Sequence, residues 1–308
     1  MRILVVGAGA TGGYFGGRMM EAGLDVTFLV RPNRQAQLIQ NGLKIFSPAG
    51  DLHLQVPTVL ANAINDPWDL VILSCKAYDL QDAIASMAPA VGSASLILPL
   101  LNGMRHLDQL DEKFGAQRVL GGLCAIATTL NADGSVRHMS DFHALAFGAR
   151  QAPQQDRVDR LAGLMQEVRV QWRASPDILQ EMWEKWVFLA SLAAGTCLFR
   201  GAIGDIMLAG GHDVMTGLLA EAQSVAALSG HAARPEVLER HRAQLTGEKS
   251  TLSASMMRDL ERGGAIEADH VIGDLLARGA ALPLPLFRLA RCHLETYQNR
   301  RQREQHGN

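Results

Sequence analysis

Three groups of residues in this chain have the types and spacing to do chemistry. The first is the turn Gly7-Ala8-Gly9-Ala10-Thr11-Gly12, which fits G-x-G-x-x-G. Gly7 permits a tight turn, Gly9 lets a pyrophosphate approach the backbone, and Gly12 lets a helix pack close to the preceding strand. The start of that helix favours an anion. The pattern alone is weak, because a tight strand-to-helix turn without a ligand can carry the same glycines. Here the apolar run Ile3–Val6 precedes it and a helical pattern, Gly12–Ala22, follows. A second apolar run, Val26–Val30, comes about 20 residues on, which is the context a dinucleotide turn requires.

The second group lies at the end of that second run, where a site for NAD usually places an acid on the ribose hydroxyl. This chain has Phe28-Leu29-Val30-Arg31-Pro32-Asn33-Arg34 and no acid. Arg31 and Arg34 could hold a 2′-phosphate through the planar guanidinium fork, or be two solvated arginines. The expected cofactor is NADP(H).

The third group is built on lysine, which is scarce. Of 29 basic residues five are lysine: Lys44, Lys76, Lys113, Lys185 and Lys249. Lys76 follows an apolar run at the strand end where open α/β sheets bind ligands. Lys185 sits in Met182-Trp183-Glu184-Lys185-Trp186-Val187-Phe188, flanked by aromatics. A partly desolvated lysine, unlike arginine, can exchange a proton near neutral pH; a lysine snorkelling off an amphipathic helix gives the same spacing. Asn102-Gly103 follows the run Ser95–Leu100 and fits either a crevice-facing amide or a turn pair. Ser255, Glu267 and Asp269 read as helix starts, since acids favour a first turn.

Other chemistries find no support. No HExxH, G-x-S-x-G or P-loop lysine pattern appears, and no Ser-His-Asp ordering stands out. His138 and His143 come nearest to a metal pair, and no metal is expected. Cys75, Cys124, Cys197 and Cys292 are far apart and form no CxxC, so they read as small buried residues in a reducing compartment.

These groups need elements to hold them. In the first half, Ile3–Val6, Val26–Val30, Leu70–Ser74 and Ser95–Leu100 are apolar throughout and alternate with helical patterns. That rhythm predicts a parallel sheet covered on both faces. Val119–Gly121 is a further short strand candidate. Leu123–Leu130 and Ser135–Met139 flank Asn131-Ala-Asp-Gly134 as a hairpin, Ala144–Phe147 reads as another strand, and Gln155–Val168 as a helix. From Pro176 the strand signal ends. Helices are expected over Asp177–Cys197, Asp213–Ser229, Pro235–Leu245, Thr251–Glu261, Glu267–Arg278 and Pro283–Tyr297, punctuated by glycines. The polar tail Asn299–Asn308 is expected to fray. The fold class is thus an α/β Rossmann domain, doubly wound and mainly parallel, over residues 1–174, followed by an all-α substrate and catalytic domain over 175–308. The two are expected to pack closely with a cleft between them.

A chain of 308 residues is long for one typical domain and comfortable for two. Lys+Arg of 29 against Asp+Glu of 31 gives no basic excess, so neither a nucleic-acid nor a membrane-surface partner is expected. The run Ile3–Val6 is too short for a signal peptide, and Trp186–Phe199 stops short of the roughly 20 residues a span needs. A cytoplasmic protein is the expectation. The helical half is apolar enough to bury a homodimer surface, though no segment identifies one.

Taken in order, these motifs resemble the ketopantoate reductase (2-dehydropantoate 2-reductase) family over nearly the whole chain. They are the glycine turn, Arg31, Cys75-Lys76-Ala77, Leu101-Asn102-Gly103-Met104, and Gly121–His138 with its Asp133-Gly134 turn. Trp183-Glu184-Lys185, Ser255-Met256-Met257-Arg258-Asp259 and Glu267-Ala268-Asp269 complete the set. The resemblance implies a Rossmann domain followed by a helical one, and NADPH-dependent reduction of ketopantoate to (R)-pantoate in pantothenate and coenzyme A synthesis. It implies that Lys185 donates the proton to the carbonyl oxygen and that Glu267 orients it and contacts the substrate's hydroxyl end. Ser255 would lie near the substrate carboxylate, and Asn102 would bridge cofactor and substrate. Lys76 would stand near the nicotinamide, and Arg31 on the 2′-phosphate.

One departure bears on the substrate. The family usually carries an asparagine one turn after the lysine, and often another a turn later; here these are Leu189 and Ala193. Losing a buried hydrogen bond to a substrate hydroxyl changes discrimination strongly. Ser191 or Thr196 could compensate. A second reading is therefore a related dehydrogenase acting on another 2-oxo or 2-hydroxy acid. A third, a non-catalytic NADPH-binding regulator, would need the glycine turn and Arg31 but not Lys185 and Glu267 together.

Overall fold

Short apolar runs become strands here because each is hidden on both faces. The computed structural model describes residues 1–305. In chain order the first half comprises β1 (Ile3–Val6), α1 (Ala10–Glu21), β2 (Val26–Leu29), α2 (Pro32–Asn41), β3 (Leu43–Phe46), β4 (Leu52–Leu54) and β5 (Thr58–Val59). It continues with β6 (Leu70–Leu73), α3 (Leu80–Met87), β7 (Leu96–Pro99), α4 (Arg105–Phe114), β8 (Gly121–Leu130), β9 (Val136–Gly148), α5 (Gln155–Met165) and β10 (Gln171–Ala174). One sheet has the order β5-β2-β1-β6-β7 and is parallel throughout. Its strands β1, β6 and β7 are buried at every position, as a parallel sheet with two covered faces requires. Ile3, Val5, Phe28, Ile72 and Leu98 of this sheet join Phe147, Val158 and Leu161 in one core.

A second sheet, β10-β9-β3-β4 with β8 paired to β9, was only partly legible. The expected hairpin is present as β8 and β9. Ala144–Phe147 is not a separate strand: it is the far end of β9, continuous with Val136–Met139. The pairing jumps from Ile126↔His143 to Thr128↔His138, so the extra residues between form a bulge that hides the continuity. Nor is Val119–Gly121 a strand. Val119 makes a single parallel bridge to Ile97 after the tight turn Ala116–Arg118, and Gly121 already belongs to β8. Strands β3, β4 and β10 escaped notice because they are short and partly polar. β10 (Gln-Trp-Arg-Ala) is held by backbone pairing to β9, not by burial.

The remainder is helical: α6 (Ile178–Phe199), α7 (Ile203–Leu208), α8 (His212–Leu228), α9 (Pro235–Leu245), α10 (Ser255–Glu261), a π-turn (Asp269–Gly273), α11 (Asp274–Arg278) and α12 (Pro285–Gln305). Helix α10 starts at Ser255, not Thr251. The carbonyls of Ser250 and Leu252 accept from the first turn of α7, at Gly204 and Ile203, and hold that stretch extended. The helix expected over Glu267–Arg278 is interrupted by the π-turn. Asn299–Gln305 continues α12 instead of fraying; the rest of the expected tail, 306–308, lies outside the described residues. No described helix is long and apolar enough to cross a membrane.

The chain divides into two compact units. One holds Met1–Leu101 and His106–Leu179. The other holds Gln180 onward together with the four-residue segment Asn102–Arg105, which nothing in the composition marks out.

Candidate active site

The glycine turn has the form a pyrophosphate needs. Gly7 has φ +93°, a region most side chains avoid. Gly9 caps α1 without a side-chain hydrogen bond, and no atom lies within 4 Å of where its Cβ would stand. A Cβ on Gly12 would run into the Ser74 hydroxyl and the Gly7 carbonyl. Ser74 Oγ donates to the Val6 carbonyl at 3.1 Å and so ties the turn to the end of β6. The first N–H groups of α1, from Ala10 to Gly12, have no acceptor within the helix and are the natural anion donors. The turn therefore fits a dinucleotide.

The arginines after β2 have different fates. Arg31 is 69% exposed, and its Nη2 lies 2.8 Å from Asp79 Oδ1 and 3.7 Å from Asp82 Oδ2. The Asp79 hydrogen bond and charge hold its pKa above the ordinary value. Arg34 does not present a fork to a phosphate. Its Nε and Nη2 donate to the Ala8 carbonyl at 3.0 and 2.8 Å, and its Nη1 to the Gly134 carbonyl at 2.9 Å and to Gln37. Arg34 is thus a strut between the glycine turn and the β8–β9 turn, and burial lowers its pKa. Lys76 is half-buried and opens the short turn Ala77–Asp79 after β6, one strand over from the glycine turn.

In the helical unit, Lys185 Nζ donates to Asn102 Oδ1 at 3.1 Å. Asn102-Gly103 forms a turn and also brings its amide to Lys185. Gly103 has φ +80°, and a Cβ there would lie 3.2 Å from His270 Cδ2 and the His270 carbonyl. The ring of His270 hydrogen-bonds to the Asn102 backbone. Glu267 precedes the π-turn, accepts the Val271 N–H at 3.0 Å through its carbonyl, and lies close enough for its charge to act on His270. Burial lowers the His270 pKa; Glu267, Asp274 and the Asn102 backbone oppose this, and Arg105 adds to it. Ser255 stands exposed as the first residue of α10, and among the described residues no hydrogen bond joins it to Lys185 or Asn102.

The helix carrying Lys185 offers little else that is polar. Leu189 is half-buried and Ala193 buried. Ser191 Oγ donates to the Val187 carbonyl at 2.8 Å, and Thr196 Oγ1 to the Leu192 carbonyl at 2.7 Å. Both hydroxyls are turned back on their own helix, so neither replaces the absent asparagines. Glu184 faces away from the chemistry. Its side chain, 5% exposed, accepts from the Arg234 N–H at 3.0 Å and Nε at 2.7 Å and anchors the approach to α9. Burial raises its pKa, but the Arg234 hydrogen bonds prevail and hold it below the ordinary value.

Three residues around Lys185 and Asn102 carried no recognisable signal, Arg105, His270 and Asp274, and Trp186 stood out only as an aromatic beside Lys185. Arg105 bonds to Asp269 and lies 3.7 Å from Asp274. Trp186 Nε1 donates to the Val271 carbonyl at 3.0 Å. The only available cue was an arginine directly after Asn102-Gly103-Met104. The histidines considered for a metal are otherwise engaged: His143 bonds to the Tyr14 hydroxyl at 2.6 Å and His138 to Ser47 Oγ at 2.8 Å. The four cysteines are free thiols, but of the four expected to be buried only Cys197 is; Cys75 and Cys124 are half-buried and Cys292, on α12, is exposed. Burial raises the Cys197 thiol to about 12.

Comparison with known proteins gives concordant likenesses. The family described as ketopantoate reductase PanE/ApbA matches residues 3–152, and its C-terminal counterpart matches residues 177–291. A Bacillus subtilis protein named uncharacterized oxidoreductase YkpB is 36% identical over 302 residues, covering 97% of this chain and 99% of its own. The crystal structure of 2-dehydropantoate 2-reductase from Geobacter metallireducens superposes with a TM-score of 0.86 at 27% identity, covering 96% of this chain and 99% of its own. A D-mandelate dehydrogenase solved with NADH and anilino(oxo)acetate shares the fold, with a TM-score of 0.88 at 20% identity over 98% of this chain and all of its own.

Proposed function

Because the chain belongs to the ketopantoate reductase family, and so to the oxidoreductases acting on a CH–OH group, we propose that it reduces a 2-oxo acid to the 2-hydroxy acid with NADPH. The reaction of the family's name, 2-dehydropantoate to (R)-pantoate, is the first candidate. The observation that carries this reading is the hydrogen bond from Lys185 to Asn102. Reducing a ketone requires a hydride on carbon, a proton for oxygen, and a cation where the alkoxide develops. Bound nicotinamide supplies the hydride. Lys185 holds the proton on Nζ, Asn102 Oδ1 fixes the direction of one N–H, and Glu267 orients the lysine and meets the substrate's far end. As the carbonyl oxygen gains charge it takes the proton from Nζ, and solvent reprotonates the amine. Ser255 is assigned to the substrate carboxylate. The turn from Gly7 through Ala8, Gly9, Ala10 and Thr11 to Gly12, with Lys76 and Arg31, is assigned to NADP(H).

A second reading keeps this chemistry and changes the substrate. Leu189 and Ala193, with Ser191 and Thr196 turned inward, favour a 2-oxo acid without the ketopantoate hydroxyl.

The test is NADPH oxidation with ketopantoate, a panel of other 2-oxo acids and an NADH control. Lys185→Met should lower kcat by about 10²–10⁴-fold on the accepted acid. Turnover of ketopantoate supports the pantothenate role; turnover of another acid alone moves the enzyme out of it. Binding of NADPH without turnover of any 2-oxo acid overturns the catalytic reading.

A further inference from the structure

Four links close a ring around Lys185. Its Nζ donates to the Asn102 side chain at 3.1 Å. The Asn102 backbone bonds to the ring of His270. The next residue, Val271, accepts the indole N–H of Trp186 at 3.0 Å. Trp186 is the neighbour of Lys185 on α6, which returns the ring to its start.

Each link is built at a cost that a plain turn would not need. Residues 269–273 form a π-turn, a feature common at functional sites because it places one extra residue in a turn. The Asn102-Gly103 turn places Gly103 at φ +80°, where a side chain would be strained and would crowd His270 at 3.2 Å. The segment is then pinned from outside the ring. Arg105 bonds to Asp269 and lies 3.7 Å from Asp274, two acids that bracket the π-turn. Asp269 is also held by Arg291 at 3.0 Å and Asp274 by Arg278 at 3.1 Å, so Arg105 grips acids that are themselves fixed.

We propose that Arg105 and His270 are positioning residues that hold Asn102 in place to orient the amine of Lys185, so that they act on proton delivery. This rests on the reading of Lys185 as the proton donor. A long amine has free rotation about its last bonds, and a misplaced donor of this kind costs rate more than affinity. An oriented partner needs its own support, and Arg105 and His270 supply it.

The test is a set of full-length variants: Arg105→Met, His270→Phe and His270→Gln, each alone and combined with Asn102→Ala. Arg105→Met and His270→Phe should lower kcat about tenfold and change the KM for NADPH by less than they change kcat. His270→Gln, which can still reach the Asn102 backbone, should recover most of the loss. With Asn102 already cut to alanine, the same changes should cost less than about twofold, because residues acting through one partner are not additive. Full kcat in both variants, losses that multiply through Asn102→Ala, or an effect confined to the KM for NADPH would overturn the proposal.

A readout without turnover separates this from failure of the reductase reading. With five lysines in the chain, reductive ¹³C-methylation gives few NMR signals, and Lys185→Arg identifies the one from Lys185. In Arg105→Met and His270→Phe that signal should move to its position in Asn102→Ala. A Lys185 signal that stays at its wild-type position in both overturns the clamp, whatever the enzyme turns over.

Discussion

Arg31 is the residue on which cofactor choice is expected to turn, and it is not idle. Its guanidinium is shared with Asp79 and Asp82, so a 2′-phosphate must compete with two carboxylates. Exposed pairs of this kind are worth about 0–1 kcal/mol, so the competition is mild. Asp79→Asn is expected to lower the KM for NADPH about two- to fivefold at low salt and to leave NADH unchanged. Arg31→Ala should raise the KM for NADPH alone. If neither variant changes the NADPH-to-NADH ratio, Arg31 does not meet the phosphate. At this scale the sequence was legible in the backbone of Gly7, whose φ of +93° only glycine adopts readily, and in singling out Lys185 and Asn102, which stand in hydrogen-bond contact. It misled where geometry decides: Arg34 looked equivalent to Arg31, yet its three nitrogens hold protein carbonyls. It was silent on Arg105, whose partner Asp269 lies 164 residues away, and on His270, whose ring meets the distant Asn102 backbone.

Helix α9 is joined to α6 by one titratable contact with a consequence for stability. His241 on α9 is 6% exposed and packs on Phe188 of α6, ring centroids 5.0 Å apart. Burial depresses its pKa to about 4, with Arg240 assisting and Glu184 opposing. An unfolded histidine titrates near 6.5. Above that pH both states are neutral and nothing is lost. As pH falls from 6.5 toward 4 the unfolded chain takes up a proton that the folded one refuses, so stability drops, by at most about 3 kcal/mol. The urea midpoint should therefore fall between pH 7 and pH 4.5, and His241→Leu should flatten that fall. An equally steep fall in the variant would assign the loss to other groups. The long apolar runs could be read directly because burial dictated their composition, and α9 because Val237, His241 and Leu245 recur at helical spacing behind Pro235. Strands β4 and β10 could not, since backbone pairing at a sheet edge asks little of side chains, and β3, though Leu43 and Ile45 are buried, is only four residues long. The π-turn was hidden for a similar reason, since Asp269–Gly273 has the composition of ordinary helix and differs by one inserted residue.

For the molecule as a whole, the two-part plan was visible as a change from strand to helix patterning. The membership of Asn102–Arg105 in the helical unit was not, because it depends on contacts between distant residues. Native-state hydrogen exchange can check it in the full chain. Glu184→Gln weakens the pair with Arg234, whose side chain is 46% exposed, a change that costs about 1 kcal/mol for a pair so open to solvent. Amides of Met104 and Arg105 should then exchange faster, together with those of 269–274, while β1 and β6 keep their protection. If Met104 and Arg105 instead follow β1 and β6, the segment belongs with the sheet.

The placement of Asn102 bears on inheritance as well as on structure. Asn102 and Lys185 are 83 positions apart, with much of the nucleotide-binding unit encoded between them. A crossover between two related genes at the start of α6 would exchange nearly the whole helical unit but leave Asn102–Arg105 behind. The chimera would carry an amide from one parent against an amine from the other, with the arginine of one lineage facing the aspartates of the second. Shuffled halves would then be compatible only where both parents kept the same set of contacts.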